Sequence, residues 1–170
     1  MRNKVIVLIV VVAVIAVAGA AFALNSFSGE TTAPTSTQIQ LKAEGYDGQL
    51  IAGSETPYVR YNEADFEKAM SEGKAIYIYF YATWCPICVV ERPKVLTAFD
   101  QLGLQNAVGF EAHWNDGQNT EADDNLARKY GVASQHTHIF IGRNGDVLEK
   151  TLEGLSSDDI RTKLTEAAQV

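Results

Sequence analysis

Cysteine is scarce in this chain: Cys85 and Cys88 are the only two among 170 residues. A single C-x-x-C pair cannot frame a small scaffold held together by several bridges, so any redox chemistry must use these two sulfurs. Basic residues are also few. The net charge is −7, and no cluster or stripe of Lys and Arg is present to release counterions from phosphates. That excludes a nucleic-acid partner and leaves a solvated acidic surface. The four prolines are Pro34, Pro57, Pro86 and Pro93, which leaves the last 77 residues without one. There is no internal repeat, and no cofactor is expected.

The hydrophobic fraction of 46% and charged fraction of 21% are those of a globular protein with room for one domain and a real core, once an N-terminal segment is set aside. That segment begins with Arg2 and Lys4 and continues through residues 5–24 without a charged or polar side chain. At 1.5 Å per residue such a helix is about 30 Å long and can span a bilayer. The next basic residue is Lys42, so the positive-inside rule puts the N-terminus in the cytoplasm and the rest of the chain outside. The alternative is a signal peptide cleaved after Ala21-Phe22-Ala23, giving a secreted protein. Because the apolar run exceeds the usual 7–15 residues of a signal, a retained single-pass anchor over 1–24 is favoured. Residues 25–40 are rich in Ser, Thr, Gly and Ala without apolar periodicity, so a flexible linker is expected over 25–45, followed by one domain over 46–170.

Within that domain, residues 41–60 predict only a short strand. Asn62 reads as an N-cap with acids in the first turn, followed by a helix of about ten residues that stops at Gly73. Residues 75–81 are β-branched or aromatic throughout, without alternation, as expected of a central strand buried on both faces. A long helix from Cys85 to Leu102 should bend at Pro93. Strand 107–114 comes next, then a helix over 120–130 capped by Thr120 with Asp123 three residues on. Segments 138–141 and 147–152 predict a hairpin across Arg143-Asn144-Gly145-Asp146, with Asn-Gly supplying positive φ. Ser156 opens a final helix. Strand–helix alternation ending in a hairpin and a helix predicts a three-layer α/β/α sandwich with a mixed central sheet.

The dithiol lies where the central strand hands over to the long helix. First-turn N–H groups and the helix dipole stabilise negative charge there, which favours a thiolate at Cys85. Cys85 should therefore be exposed and attack first. Cys88, one turn further in, should be more buried and resolve the mixed disulfide. Trp84 either offers substrate a flat apolar contact or simply packs. Pro86 suits the first helical turn by its fixed φ.

The run Phe80-x-Ala82-x-Trp84-Cys85-Pro86-Ile87-Cys88, with Pro93 five residues later, resembles the thioredoxin family. Tyr130-Gly131-Val132 and the Gly142-Arg143-Asn144-Gly145-Asp146 turn are similar to that family's lead-in to its fourth strand and to its last hairpin. The resemblance covers roughly residues 60–168. It implies a thioredoxin-like fold and a thiol–disulfide oxidoreductase acting on protein thiols or disulfides, recharged by a redox partner. It also implies that Pro86 and Ile87 tune the redox potential.

Two positions depart from the family. Tyr79 stands where many members carry a buried Asp that serves the second Cys, and a phenol with a pKa near 10 is a poor base at neutral pH. His136 stands where the family's cis-proline precedes Thr137, so a trans bond with a rearranged loop is expected. The Gln135-His136-Thr137 run is similar to a subgroup of exported thioredoxin-like proteins. His136 has three readings: a thiol-tuning base, the third ligand of a metal site with Cys85 and Cys88, or a loop residue with no chemical task. The ligand reading makes a metal-binding or metal-delivery protein the alternative function. His138, two residues on, is expected in the core or behind a ligand, and His113 is expected to be structural.

Overall fold

The computed structural model describes residues 42–170, so the apolar segment 1–24 and most of the expected linker lie outside the described residues. The elements are β1 (Leu50–Ala52), β2 (Tyr58–Arg60), α1 (Glu63–Ser71), β3 (Ala75–Tyr81), α2 (Pro86–Gln101), β4 (Ala107–His113), α3 (Glu121–Lys129), β5 (Thr137–Ile141), β6 (Val147–Thr151) and α4 (Ser157–Ala167). Six strands form one mixed sheet in the order β1-β2-β4-β3-β5-β6. Strands β2, β4 and β3 run parallel, whereas β1, β5 and β6 pair antiparallel with their neighbours.

Both faces of the sheet are covered, which is why β3 and β4 read as continuous apolar runs. On one face α2 and α4 pack Val95, Ala98, Phe99, Ile160 and Leu164 against Tyr58, Tyr77, Tyr79 and Phe140. On the other, α1 and α3 bring Phe66, Ala69, Leu126 and Ala127 against Ile76, Ile78, Phe80, Val108 and Phe110. Gly109 in β4 is fixed by this packing, since a Cβ there would lie 2.3 Å from Phe99 Cζ and 2.6 Å from Tyr58 Cδ2. No larger residue fits without displacing an aromatic ring.

The caps follow the sequence. Asn62 accepts the Asp65 N–H, while Thr120–Asp123 and Ser156–Asp159 are complete capping boxes. The helix α2 runs through Pro93 without interruption. Residues 41–60 hold two strands rather than the one expected. Each is three residues long, too short for periodicity to register, and β2 is made a strand by its parallel partner β4. In the hairpin turn, Gly145 alone takes positive φ, at 86°, so glycine rather than the Asn-Gly pair provides it.

Candidate active site

The chain leaves β3 at Tyr81 and enters α2 at Pro86, and Cys85 is the N-cap between them. Its extended backbone (φ −83°, ψ 112°) turns Sγ over the helix start, where it accepts the Cys88 N–H at 3.1 Å. Cys85 and Cys88 are joined as a disulfide with Cα atoms 5.2 Å apart, a separation within the range that such a bond requires. Cys88 is fully buried, as predicted, but Cys85 is only 2% exposed, which corrects the expectation of an open first sulfur. The cause is local: a sulfur that both caps the helix and bonds to the second cysteine is drawn inward.

The surroundings remain open. Trp84 is 52% exposed, and Ile87 and Val90 are more exposed still. The Trp84 indole N–H donates to the Asn115 carbonyl at 2.9 Å, which fixes the ring against a loop whose Asn115 has φ +46°. Asp116 braces that loop by accepting from the Thr83 and Gln118 N–H groups and from His113 Nδ1 at 2.7 Å. Burial alone would raise the Asp116 pKa, but these hydrogen bonds outweigh it and hold the carboxyl below its ordinary value. His113 therefore has the structural task expected of it. Pro86 occupies the first helical position.

His136 faces a second, buried centre. No peptide bond among the described residues is cis, and His136 itself takes φ +63°, a left-handed conformation uncommon for a non-glycine residue. Its N–H donates to Phe80 O at 2.7 Å, which pins the loop to the end of β3. Thr137 follows as the first residue of β5, buried, with its hydroxyl donating to Ser134 O at 2.8 Å.

Below this loop lies Glu91, a 2% exposed acid in the apolar stripe of α2 that also contains Cys88, Val95, Ala98 and Phe99. Its Oε1 accepts the Leu155 N–H. Its Oε2 lies 3.2 Å from His138 Nε2, 3.4 Å from the Tyr79 hydroxyl and 2.7 Å from His136 Nδ1. His138 is fully buried, stacked on Tyr79 at 4.6 Å, and hydrogen-bonded through Nδ1 to the Tyr77 hydroxyl at 2.7 Å. The His136 contact differs from the others. It is short, yet the ring is turned so that Nδ1 has no hydrogen-bond partner among the described residues.

Burial would raise the Glu91 pKa, but the hydrogen bond and charge of His138, then the Leu155 N–H, overcome it and hold the carboxyl below its usual value. Burial lowers the His136 pKa more than Glu91 raises it, so the imidazole is disposed to be neutral. The Tyr79 phenol is pushed far up, first by burial and then by Glu91, and stays protonated.

Of the residues expected at the site, Trp84, Cys85, Pro86, Ile87 and Cys88 adjoin one another at the start of α2, and His136 and Thr137 form the loop entering β5. Among the described residues, the metal-ligating side chains that converge are Glu91, His136 and His138, with atoms within 4.8 Å of one another. This group differs from the alternative set of Cys85, Cys88 and His136, whose two sulfurs are bonded to each other here. Glu91 and Tyr77 were missed in the sequence. A signal existed, because an acid at position 91 interrupts an apolar series at 88, 95, 98 and 99 and so must point into the core.

A mixed sheet between two helical layers, with a disulfide closing on the N-terminus of the helix after the central strand, defines an α/β dithiol protein. The thioredoxin family model matches residues 57–166, and the chain belongs to that family. It is a thiol–disulfide oxidoreductase. Thioredoxin-1 of Caenorhabditis elegans is 35% identical over 112 residues, which cover 64% of this chain and 87% of that protein. Among solved structures, a mutant thioredoxin from Halobacterium salinarum is similar with a TM-score of 0.52 and 20% identity, over 71% of this chain and 96% of its own. Trxlp from Edwardsiella tarda gives a TM-score of 0.51 and 23% identity, over 62% and 95% respectively. These two likenesses show the fold.

Proposed function

We propose that the protein is a membrane-tethered, extracytoplasmic oxidoreductase in which Cys85 attacks a disulfide of a protein substrate and Cys88 resolves the resulting mixed disulfide. The observation that carries the reading is the Cys85–Cys88 disulfide at the N-terminus of α2 beside exposed Trp84, Ile87 and Val90. In the reduced protein the helix start favours the Cys85 thiolate, which attacks one substrate sulfur and releases the other as a thiolate. Cys88, tethered one turn away, then attacks Cys85 Sγ, leaving the substrate as a dithiol and the enzyme oxidised. A redox partner reverses that change to recharge the pair. The three exposed apolar side chains give a protein substrate a surface to rest on. Trp84, Pro86, Ile87, His136 and Thr137 shape the substrate contact and tune the thiols.

The export reading rests on residues 1–24, whose composition and flanking charges favour a retained anchor with a cytoplasmic N-terminus. A linker over 25–45 then holds the domain of 46–170 just off the membrane surface.

Cys85→Ser should abolish exchange, whereas Cys88→Ser should accumulate trapped mixed disulfides, read by non-reducing electrophoresis. Trapping on Cys85→Ser and not on Cys88→Ser would overturn the assignment. A reporter fused after Val170 should be active only outside the cytoplasm, and the protein should stay in the membrane fraction after a salt wash. Release of a soluble chain beginning near Leu24 would remove the anchor.

A further inference from the structure

We propose that Glu91, His136 and His138 form a binding site for a divalent transition-metal ion, with Zn²⁺ as the best match, separate from the dithiol. Two imidazoles and one carboxylate are the donors of a three-ligand site that leaves one position open to water. Hard Mg²⁺ and Ca²⁺ favour all-oxygen ligands, so two nitrogens select a borderline ion instead.

Five observations converge on this assignment. The Glu91 Oε2 atom is 2.7 Å from His136 Nδ1 and 3.2 Å from His138 Nε2. Metal bonds of about 2.1 Å at tetrahedral or octahedral angles put neighbouring donors about 3.0–3.4 Å apart, close to that spacing. His136 Nδ1, on a side chain nine-tenths buried, has no hydrogen-bond partner among the described residues although it faces the carboxylate. The two atoms are close without a hydrogen bond between them, and a cation held by both would satisfy each.

The remaining atoms of the ligands are held in advance. The Tyr77 hydroxyl occupies His138 Nδ1 and the Leu155 N–H occupies Glu91 Oε1, so that Nε2 and Oε2 face each other at 3.2 Å, with the Tyr79 hydroxyl a longer 3.4 Å from Oε2. Such outer partners fix tautomer and orientation in metal sites. The backbone of His136 is pinned by its bond to Phe80 O, which fixes where its side chain leaves the loop.

Charge gives the fourth reason. Glu91 is a buried carboxylate without a Lys or Arg partner among the described residues, and with its two histidine neighbours uncharged the group carries one uncompensated negative charge. Buried charges are normally paired or bound to metal. Access is the fifth: Glu91 stands in the wall of an apolar groove of about 300 Å³ with Pro86, Ile87, Val90, Lys94 and Gly154.

The test uses the full chain in detergent, with the Cys85–Cys88 disulfide closed so that the thiols cannot compete. Chelator-stripped protein is titrated with Zn²⁺ by calorimetry and with Co²⁺ by visible absorption. One equivalent of Co²⁺ should give bands of nitrogen and oxygen ligation without a sulfur-to-metal charge-transfer band. His136→Gly, which suits the left-handed backbone, and Glu91→Gln should each weaken binding by more than about 100-fold, the upper figure for losing only an outer partner. Tyr77→Phe should weaken it by about 10-fold. Should a variant not fold by circular dichroism, wild-type protein with ¹⁵N-labelled histidine decides: Zn²⁺ should shift the ring nitrogens of His136 and His138 and leave those of His113 unmoved. Absence of stoichiometric binding, a shift at His113 instead, or binding only after reduction would overturn the site. Disulfide exchange measured on the same stripped sample keeps the two readings apart, because intact exchange without metal binding sinks the metal site alone.

Discussion

Consecutive residues of α2 show two treatments of a buried acid. Arg92 reaches towards β4, where its guanidinium forks onto Glu111 at 2.7 and 3.1 Å, and the Tyr58 hydroxyl adds a longer contact at 3.4 Å. Glu91, one residue earlier, turns towards β5 and meets two histidines, a tyrosine and one backbone N–H, with no guanidinium or ammonium among the described residues. Both carboxylates are nearly inaccessible. The first is closed: its charge is matched within the fold and its geometry is bidentate. The second has only histidines as possible counter-charges among the described residues, and one of them makes no hydrogen bond to it. The difference separates a charge matched by a guanidinium from the charge on which the proposed metal site rests.

The sharpest way to break that comparison is to remove the matching cation. Arg92→Ala leaves Glu111 buried without its partner and should destabilise the domain by about 3 kcal/mol, the low end for such a loss because Arg92 is partly exposed. Denaturant unfolding of chelator-treated protein reads this directly. A change below about 0.5 kcal/mol, the range of an indifferent surface substitution, would mean that the pair carries no structural weight.

A third buried acid extends the comparison through pH. Asp123 in α3 is bound by the Arg60 guanidinium at 2.8 and 2.6 Å and by the Thr120 N–H. Burial would raise its pKa, but the Arg60 and Thr120 bonds outweigh this and lower it. A carboxyl whose folded pKa is depressed contributes stability that is present above its unfolded value of about 4 and is lost as pH falls through the folded value. Asp123→Asn should therefore cost about 2 kcal/mol at neutral pH, and the gap to wild type should narrow steadily below about pH 4. A gap independent of pH would show that the charge contributes nothing. The smallest effect is expected at the open acid. In metal-free, oxidised protein Glu91→Gln should cost about 1 kcal/mol or less, because the amide oxygen can still accept the Leu155 N–H and no buried cation is stranded. A loss as large as that of Arg92→Ala would place Glu91 among the structural acids.

Most of the framework was legible in the sequence because it rests on short-range rules. The caps at Asn62, Thr120 and Ser156 are set by side chains reaching three residues along the chain. The central strand shows itself because burial on both faces removes alternation. The place of the dithiol, at a strand-to-helix junction, follows from the pattern on either side of it. The two three-residue strands β1 and β2 were less legible, since only β4 alongside makes a strand of so short a run.

By itself, then, the sequence determined the α/β class, the boundaries of the long elements, the thioredoxin resemblance and the cysteine pair as the redox centre. The tertiary structure decided what surrounds it. Glu91 and His138 are 47 residues apart, and Leu155 is 64 residues from Glu91. They meet only because α2 lies across β5 and the chain beyond β6 returns over the same face. Whether Cys85 is open or covered was likewise settled by folding, as the cap and the disulfide draw one sulfur inward. Local chemistry is written in neighbouring residues. Burial and the partners of a charge depend on contacts made across the sheet, and no sequence interval encodes them.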